Sequence, residues 1–320
     1  VKYRCNIGKY NYNLKEFKKC DYINTKNGIK KHFTSCELIL YNCLFCKKYI
    51  LLLNLEEHAK MECKMRVIKF PDNNYIGEMK NNLKDGYGTE YLIDGDLYSG
   101  EFKKGLREGY GNYIQSDDIK YEGDFKNNVF EGYGILAFPD GVKYEGSFKN
   151  NRPEGIGTFY YQNGDRYEGE LKDGLKEGYG LEYFSNGERY EGEYKNDCME
   201  GFGIYYFPNK SRYIGEFKND SMEGFGIFRN DKRIGYKGEF RNDNPEGYGI
   251  IYYTNGYKYI GQNKALVREG FGIIYTTNGE RFEGEFKNEK KVGNFIIYYS
   301  NGERYEGEIK NDKKNGIGKI

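Results

Sequence analysis

The sequence repeats with a period of 23 residues, and eleven successive repeats keep that spacing without a slip. Tyr75, Tyr98, Tyr121, Tyr144, Tyr167, Tyr190, Tyr213, Tyr236, Tyr259, Phe282 and Tyr305 open them. A fixed period in this range builds a stacked-repeat architecture. No repeat buries its own apolar face, so neighbours bury one another and create an extended surface. Such a surface suits binding better than catalysis.

The clearest repeat, Tyr167 to Arg189, reads YEGELKDGLKEGYGLEYFSNGER. Counted from the opening aromatic, the consensus is Y-x-G-E-F-K-N-x-x-x-E-G-Y-G-I-x-Y-Y-x-N-G-x-R. Two stretches, Y-x-G-E-F-K and G-Y-G-I-x-Y, alternate as strands do. Asn-Gly or Asp-Gly recurs between repeats, as at Asp140-Gly141, Asn163-Gly164 and Asn186-Gly187. That dipeptide is expected to supply the two positive φ angles of a type I′ turn. The other connection, K-N-x-x-x-E, reads as longer and polar. The expected fold is all-β: an elongated single antiparallel sheet of stacked hairpins, preceded by a small zinc-stabilised module. Twenty-one or twenty-two strands would span roughly 100 Å before twist. Glycines at the third, twelfth and fourteenth positions leave room for a neighbouring aromatic or a bend.

Composition sharpens this reading. Apolar residues are 38% of the chain and mean hydropathy is −0.90, but 35 tyrosines and 21 phenylalanines offset the deficit. Each aromatic buries a large area while a boundary tyrosine keeps its hydroxyl wet. The net charge of +1 conceals an asymmetry. Residues 1–74 hold 15 basic against 7 acidic side chains, and the repeats hold 35 against 42. Neither part has the single-sign excess of a dedicated nucleic-acid binder, so no nucleic-acid partner is expected. The longest apolar run, Tyr49 to Leu53, is far shorter than the roughly 20 residues of a spanning helix. Val1 in place of Met leaves an upstream leader or lipid site open. The last repeat stops at Ile320, incomplete.

Six of seven cysteines and both histidines lie in the first 63 residues. Cys43-x2-Cys46-x11-His58-x4-Cys63 has the spacing of a tetrahedral zinc site. A Cys-x2-Cys knuckle offers two thiolates from one tight turn, and His58 and Cys63 supply the rest. The segment after Cys46 reads as a short strand followed by an amphipathic helix. A second set, Cys20-x11-His32-x3-Cys36, has Cys5 as its available fourth ligand, across a long insertion. Long loops add little closure entropy, so the site is retained. The alternative is disulfides or free thiols. All coordination positions are filled by protein, which points to structural zinc, one or two ions, with no opening for a reactive water. This pattern resembles tandem TRAF-type zinc fingers over residues 5–63, except for the stretched Cys5–Cys20 interval. The resemblance implies structural zinc and protein contacts.

The repeat signature Y-x-G-E-F-K-N followed by G-x-G resembles MORN repeats over residues 75–320. The division is then a zinc-finger-like module at 1–66, a linker at 67–74 and eleven MORN repeats at 75–320. The ninth repeat departs from the pattern with Gln262-Asn263 and the tenth with Asn294-Phe295; the seventh loses its Asn-Gly at Lys232-Arg233. The resemblance implies scaffolding, dimerisation and, in some members, membrane or phosphoinositide association. A recurrent basic row, including Lys126, Lys149, Lys172, Lys195 and Lys218, is expected to be neutralised by a neighbouring acidic row. Glu170, Glu193, Glu216 and Glu239 belong to that second row. A net acidic sheet is repelled by anionic leaflets, so anionic phospholipid is a secondary expectation behind protein partners. The opposite, aromatic face is the stronger binding candidate.

The repeats lack histidine, and their one cysteine, Cys198, sits in a polar stretch, so familiar nucleophile systems have no parts there. Carboxylates recur in every repeat, as structural groups do. The eleventh-position glutamates, such as Glu108, Glu131, Glu154 and Glu177, are expected to satisfy hairpin backbone. Gly178-Tyr179-Gly180 lacks the Lys-Ser/Thr and helix of a phosphate loop. Two functions compete. One is a non-catalytic scaffold or adaptor, cytoplasmic, at a cytoskeletal or membrane-associated structure. The other is the recognition region of a larger enzyme, a RING ubiquitin ligase or a lipid kinase, or a phosphoinositide tether. A homodimer is expected through the C-terminal repeats, burying Ile309, Ile317 and Ile320.

Overall fold

A computed structural model describes residues 40–42, 49–51, 66–69, 73–230, 233–310 and 312–319. The chain divides into two compact bodies, Val1–Leu106 and Arg107–Ile320. Every described element is a strand or a turn. In the N-terminal body, β1 (Leu40–Asn42) and β2 (Tyr49–Leu51) form an antiparallel pair with Asn42 opposite Tyr49. A meander follows through β3 (Arg66–Lys69), β4 (Asn73–Lys80), β5 (Leu83–Leu92) and β6 (Leu97–Lys103). The segment read as a linker therefore contains strand: Val67 and Ile68 lie opposite Ile76 and Tyr75. Two β-branched residues in succession favour that extension.

The C-terminal body begins at Arg107, within β7 (Leu106–Ile114), and runs to β25 (Lys313–Lys319), and within it strands pair with their sequence neighbours. The ladder is open, two strands to a repeat. The fifth and sixth repeats, for example, supply β12 (Arg166–Lys172), β13 (Leu175–Tyr183), β14 (Arg189–Lys195) and β15 (Cys198–Tyr206). The eleventh, though shortened, provides both β24 (Arg304–Lys310) and β25.

The two turns exchange the roles expected of them. The tight turn is the Lys-Asn-x connection: Asn150 and Asn151 have φ of 49° and 66°, and Asn196 and Asp197 have 48° and 69°. Two successive positive φ angles define the type I′ turn, and Asn and Asp tolerate them. At Asn-Gly only the glycine is left-handed, as in Gly164 at φ 91°. There Gly164 N–H donates to Tyr161 O at 3.0 Å, and Tyr161 N–H donates to Asp165 O at 3.0 Å. This is the three-residue hairpin, a type I turn followed by a left-handed glycine. The second strand is correspondingly longer than expected, nine residues in β13.

One face of the sheet is its core. Tyr167 is fully buried, and a Cβ on Gly169 or Gly180, which lie opposite each other, would overlap its ring. The Tyr167 hydroxyl donates to Glu170 O at 2.8 Å, so the buried phenol is paired. The fifth-position ring then bridges consecutive repeats edge-on. Phe217 lies 4.9 Å from Tyr190 and 5.2 Å from Tyr213 between centroids. Each such contact contributes about 0.5–1.5 kcal/mol beyond area burial. Desolvation raises the pKa of Tyr167, Tyr190 and Tyr213 well above the ordinary phenol value of 10.0.

Candidate protein-binding face

The repeated carboxylates have structural work on the turns and bulges. Opposite the fourth position the second strand carries extra residues, opened by a left-handed glycine such as Gly178 at φ 65°. The fourth-position carboxylate accepts the amide that this bulge leaves unpaired. Tyr179 N–H donates to Glu170 at 3.3 Å, Phe202 N–H to Glu193 at 3.3 Å and Phe225 N–H to Glu216 at 3.2 Å. Eleventh-position glutamates accept from the tight turn of the next repeat. Asn127 N–H donates to Glu108, Asp173 N–H to Glu154 and Asn196 N–H to Glu177, at 3.0–3.1 Å. The expected hairpin role of that glutamate is therefore found.

The charge rows differ from expectation in their partners. The fourth-position glutamates engage backbone amides. Ion pairs form instead between the last residue of one repeat and the second of the next: Arg166–Glu168 at 3.2 Å, Arg189–Glu191 at 3.6 Å and Arg304–Glu306 at 2.7 Å. These pairs are half-exposed and contribute at most about 1 kcal/mol each. The basic row of Lys126, Lys149, Lys172, Lys195 and Lys218 is exposed.

The exposed aromatics are not where the alternation placed them. The face opposite the carboxylates holds the opening tyrosines and is buried. Thirteenth-position side chains lie on the carboxylate face, because Tyr179 is opposite Glu193, Phe202 opposite Glu216 and Phe225 opposite Glu239. Paired residues share a face. Tyr110, Tyr133, Ile156, Tyr179, Phe202, Phe225, Tyr248 and Phe271 are all exposed there. The aromatic that most repeats carry in the thirteenth place is visible in the sequence; only the pairing register shows that it points outward.

The row has two chemical textures. In earlier repeats the tyrosine hydroxyls are tied to carboxylates. Tyr110 donates to Glu122 at 2.6 Å, Tyr133 to Glu145 at 3.0 Å and Tyr179 to Glu191 at 3.0 Å. The first two bonds are the main cause that raises the pKa of Tyr110 and Tyr133, whereas desolvation leads for Tyr179. Further on, Phe202, Phe225 and Phe271 have no hydroxyl, and the second-position carboxylate gives way to Ile214, Lys237 and Ile260.

On the core side, a groove of about 680 Å³ is lined by Phe159, Tyr161, Asp165, Lys176, Glu182 and Asp197, among others. It already holds its own cation. Lys176 pairs with Glu182, and its ammonium lies 5.6 Å, 5.0 Å and 5.4 Å from the Tyr161, Tyr167 and Tyr194 ring centres. Tyr194 donates to the same carboxylate at 2.8 Å. Burial pushes the Tyr161 phenol up to about 12. This is an internally satisfied cluster.

The sequence-derived metal ligands, Cys5, Cys20, His32, Cys36, Cys43, Cys46, His58 and Cys63, lie outside the described residues. Among the described residues no cluster of His, Cys, Asp and Glu could hold a metal ion. Cys198 opens β15 and is half-buried. Desolvation, then Asp220, pushes its thiol up, which disfavours the nucleophilic thiolate. Gly178-Tyr179-Gly180 lies within β13 and carries the bulge. Ile309 is a core residue, 3% exposed, so it is not free to form a subunit interface. The side chain of Ile317, and Ile320, fall outside the described set. Among the described residues no helix is long and apolar enough to cross a membrane.

A family model described as MORN repeat matches residues 75–97, 98–118, 121–143, 144–166, 167–189, 190–212, 213–231, 236–256 and 305–320. Residues 257–304 fall between the last two matches. No curated protein matches the chain. Solved structures with some likeness include the Drosophila melanogaster SAS-4 (dCPAP) TCP domain in complex with a proline-rich motif of Ana2 (dSTIL). It is 16% identical, covers 54% of this chain and 86% of that one, and has a TM-score of 0.30. The Danio rerio CPAP TCP10 domain in complex with a peptide of STIL is 11% identical, covers 79% and 97%, and has a TM-score of 0.21. At such scores these likenesses carry no argument.

Proposed function

This chain belongs to the MORN-repeat family, and on that premise we propose that it is a non-catalytic scaffold that holds proteins against the carboxylate-bearing face of its repeats. The observation that carries this reading is the exposed thirteenth-position row. Large exposed apolar side chains gathered on one face, one to a repeat, mark an interaction site, whereas singly scattered ones do not. The recurrent carboxylates on that face serve the bulges and turns, which favours architecture over a tuned acid–base pair. The setting we propose is the cytoplasm, at a cytoskeletal or membrane-associated structure. A photo-crosslinking residue at Phe225, in the full chain in its native cells, is expected to give discrete protein adducts. The same residue at Lys172, in the basic row, should give few. Absence of protein adducts at Phe225 would overturn the scaffold reading.

The front segment belongs to the same proposal. We assign Cys43, Cys46, His58 and Cys63 to one structural zinc ion and Cys5, Cys20, His32 and Cys36 to a second, in a module that resembles TRAF-type fingers. Pairing of β1 with β2 supports the first site, since these strands bracket the segment that contains Cys43 and Cys46. Zinc there would cross-link a module too small for much core. Metal analysis of the full chain purified without chelator should find about one to two zinc ions. A metal-free protein would remove the assignment.

A further inference from the structure

From the sixth to the ninth repeat the outward row carries an exposed ring in every repeat. Phe202, Phe225, Tyr248 and Phe271 are 55%, 50%, 54% and 61% exposed. Beside them, on the same face, isoleucines pair across consecutive strands. Ile204 is opposite Ile214, which is opposite Ile227; Ile250 is opposite Ile260, which is opposite Ile273. All six are half-buried, and Lys237, opposite both Ile227 and Ile250, separates the two triplets. Between the rings stand acceptors: Phe202 is opposite Glu216, Phe225 opposite Glu239, Tyr248 opposite Gln262 and Phe271 opposite Glu285. Along a line perpendicular to the strands, an aromatic alternates with a carboxylate or amide.

The spacing of that line selects its ligand. Successive rings are two strands apart, about 9.6 Å at ordinary strand separation. A polyproline II helix advances about 9.3 Å in each three-residue turn. A peptide of that form laid across the strands would bring every third residue over a ring and stay in register for several repeats. An added β-strand cannot do this, because it would lie along the strands and meet one ring only. A helix rises about 5.4 Å per turn and falls out of step. Polyproline II segments are also ordered before binding and dock on aromatic-lined surfaces for that reason. The interleaved Glu216, Glu239 and Glu285 call for basic residues at the positions between contacts, although Lys237, 5.8 Å from the Phe225 ring centre, makes the fit locally less acidic.

We propose that Phe202, Phe225, Tyr248 and Phe271 form a docking track for a basic, proline-rich peptide in the polyproline II conformation. The proposal rests on the scaffold reading and names the class of partner. Its test uses the full chain and a synthetic peptide of five Pro-Pro-Arg triplets, with five Gly-Ser-Arg triplets as a partner of equal charge and length. Titration by fluorescence anisotropy should show the proline peptide binding about tenfold more tightly or better, and Phe225→Ala should weaken it about tenfold, as loss of a central aromatic anchor does. Phe225 is exposed, so the variant keeps the fold, which circular dichroism checks. Lys172→Ala, in the exposed basic row and outside the track, should leave affinity unchanged. Equal binding of the two peptides, or an unchanged affinity in Phe225→Ala, would overturn the proposal. Protein adducts at Phe225 without binding of the proline peptide would overturn it as well, while leaving the scaffold reading in place.

Discussion

The fifth and sixth repeats follow the family pattern, and the ninth and tenth, residues 259–304, fall outside every matched segment. Both regions nevertheless build the same paired strands. In the regular region Tyr190 covers the opposed Gly192 and Gly203, and Tyr194 packs edge-on at 5.1 Å from Tyr167 and 5.2 Å from Tyr190. In the tenth repeat the glycine pair is half gone. Gly284 of β22 (Arg281–Lys287) faces Phe295 of β23 (Lys290–Tyr298), and the Phe295 ring covers Gly284 from the opposite strand. Phe295 is fully buried, and the opening Phe282 is only half-buried. The ninth repeat deviates differently. Asn263 occupies the fifth-position ring site, buried, with its amide donating to Tyr236 Oη and Gly247 O at 3.0 Å each. Its Oδ1 is buried without a partner. The lesson is that the architecture requires one ring over each close strand approach and leaves open which strand supplies it.

Alkali should separate the regular repeats most strongly from the tenth, since the ninth still buries Tyr259. The buried tyrosines of the regular repeats have pKa values raised first by desolvation, so the fold favours their neutral form. Their contribution is complete below about pH 10, where the unfolded phenol titrates, and is lost as pH rises toward the folded value. With many such groups in series, the regular repeats should unfold cooperatively above about pH 10. The tenth repeat, which uses Phe295, has no phenol at that place. A titration followed by tyrosinate absorbance and near-ultraviolet circular dichroism should show ionisation of the buried set coinciding with loss of tertiary signal. Ionisation near pH 10 with the signal intact would remove desolvation as the cause.

Exchanging the ring donor comes next in size. Phe295→Gly deletes a fully buried ring and should destabilise the tenth repeat by about 4 kcal/mol. Adding Phe282→Tyr restores the family arrangement, so the double variant should recover most of that loss in native-state hydrogen exchange. A purely additive double variant would show that Phe282 cannot move over the glycines. A smaller effect is expected at Gly180, where Gly180→Val drives a side chain into the Tyr167 ring. Overpacking of this kind costs about 1–3 kcal/mol, and the local exchange rates of β12 and β13 measure it. The smallest change has the opposite sign. Asn263→Phe replaces a half-satisfied buried amide with the ring that neighbouring repeats carry, and should stabilise the ninth repeat by about 1 kcal/mol. A rise in midpoint temperature is the expected result; a fall would mean that the Tyr236 hydroxyl depends on Asn263.

The sequence by itself determined the period, the two strands in each repeat and the structural use of the eleventh-position glutamates. Each is a local consequence of residue type and spacing, repeated often enough to be read. It misassigned the turns, because Asn-Gly serves a three-residue hairpin as readily as a type I′ turn, and Lys-Asn-Asn accepts two left-handed residues. It also placed the binding aromatics on the wrong face. Alternation shows which residues of one strand share a side, but not which side of its neighbour they join. That is decided by register, and a slip of one residue would turn Phe202 and Phe225 inward. Register here is set where Gly203 meets Gly192 and Gly215 beneath the tyrosine rings, with the bulge at Gly201 absorbing the extra residues. Contacts between strands fixed the outward row, and with it the face this protein offers to a partner.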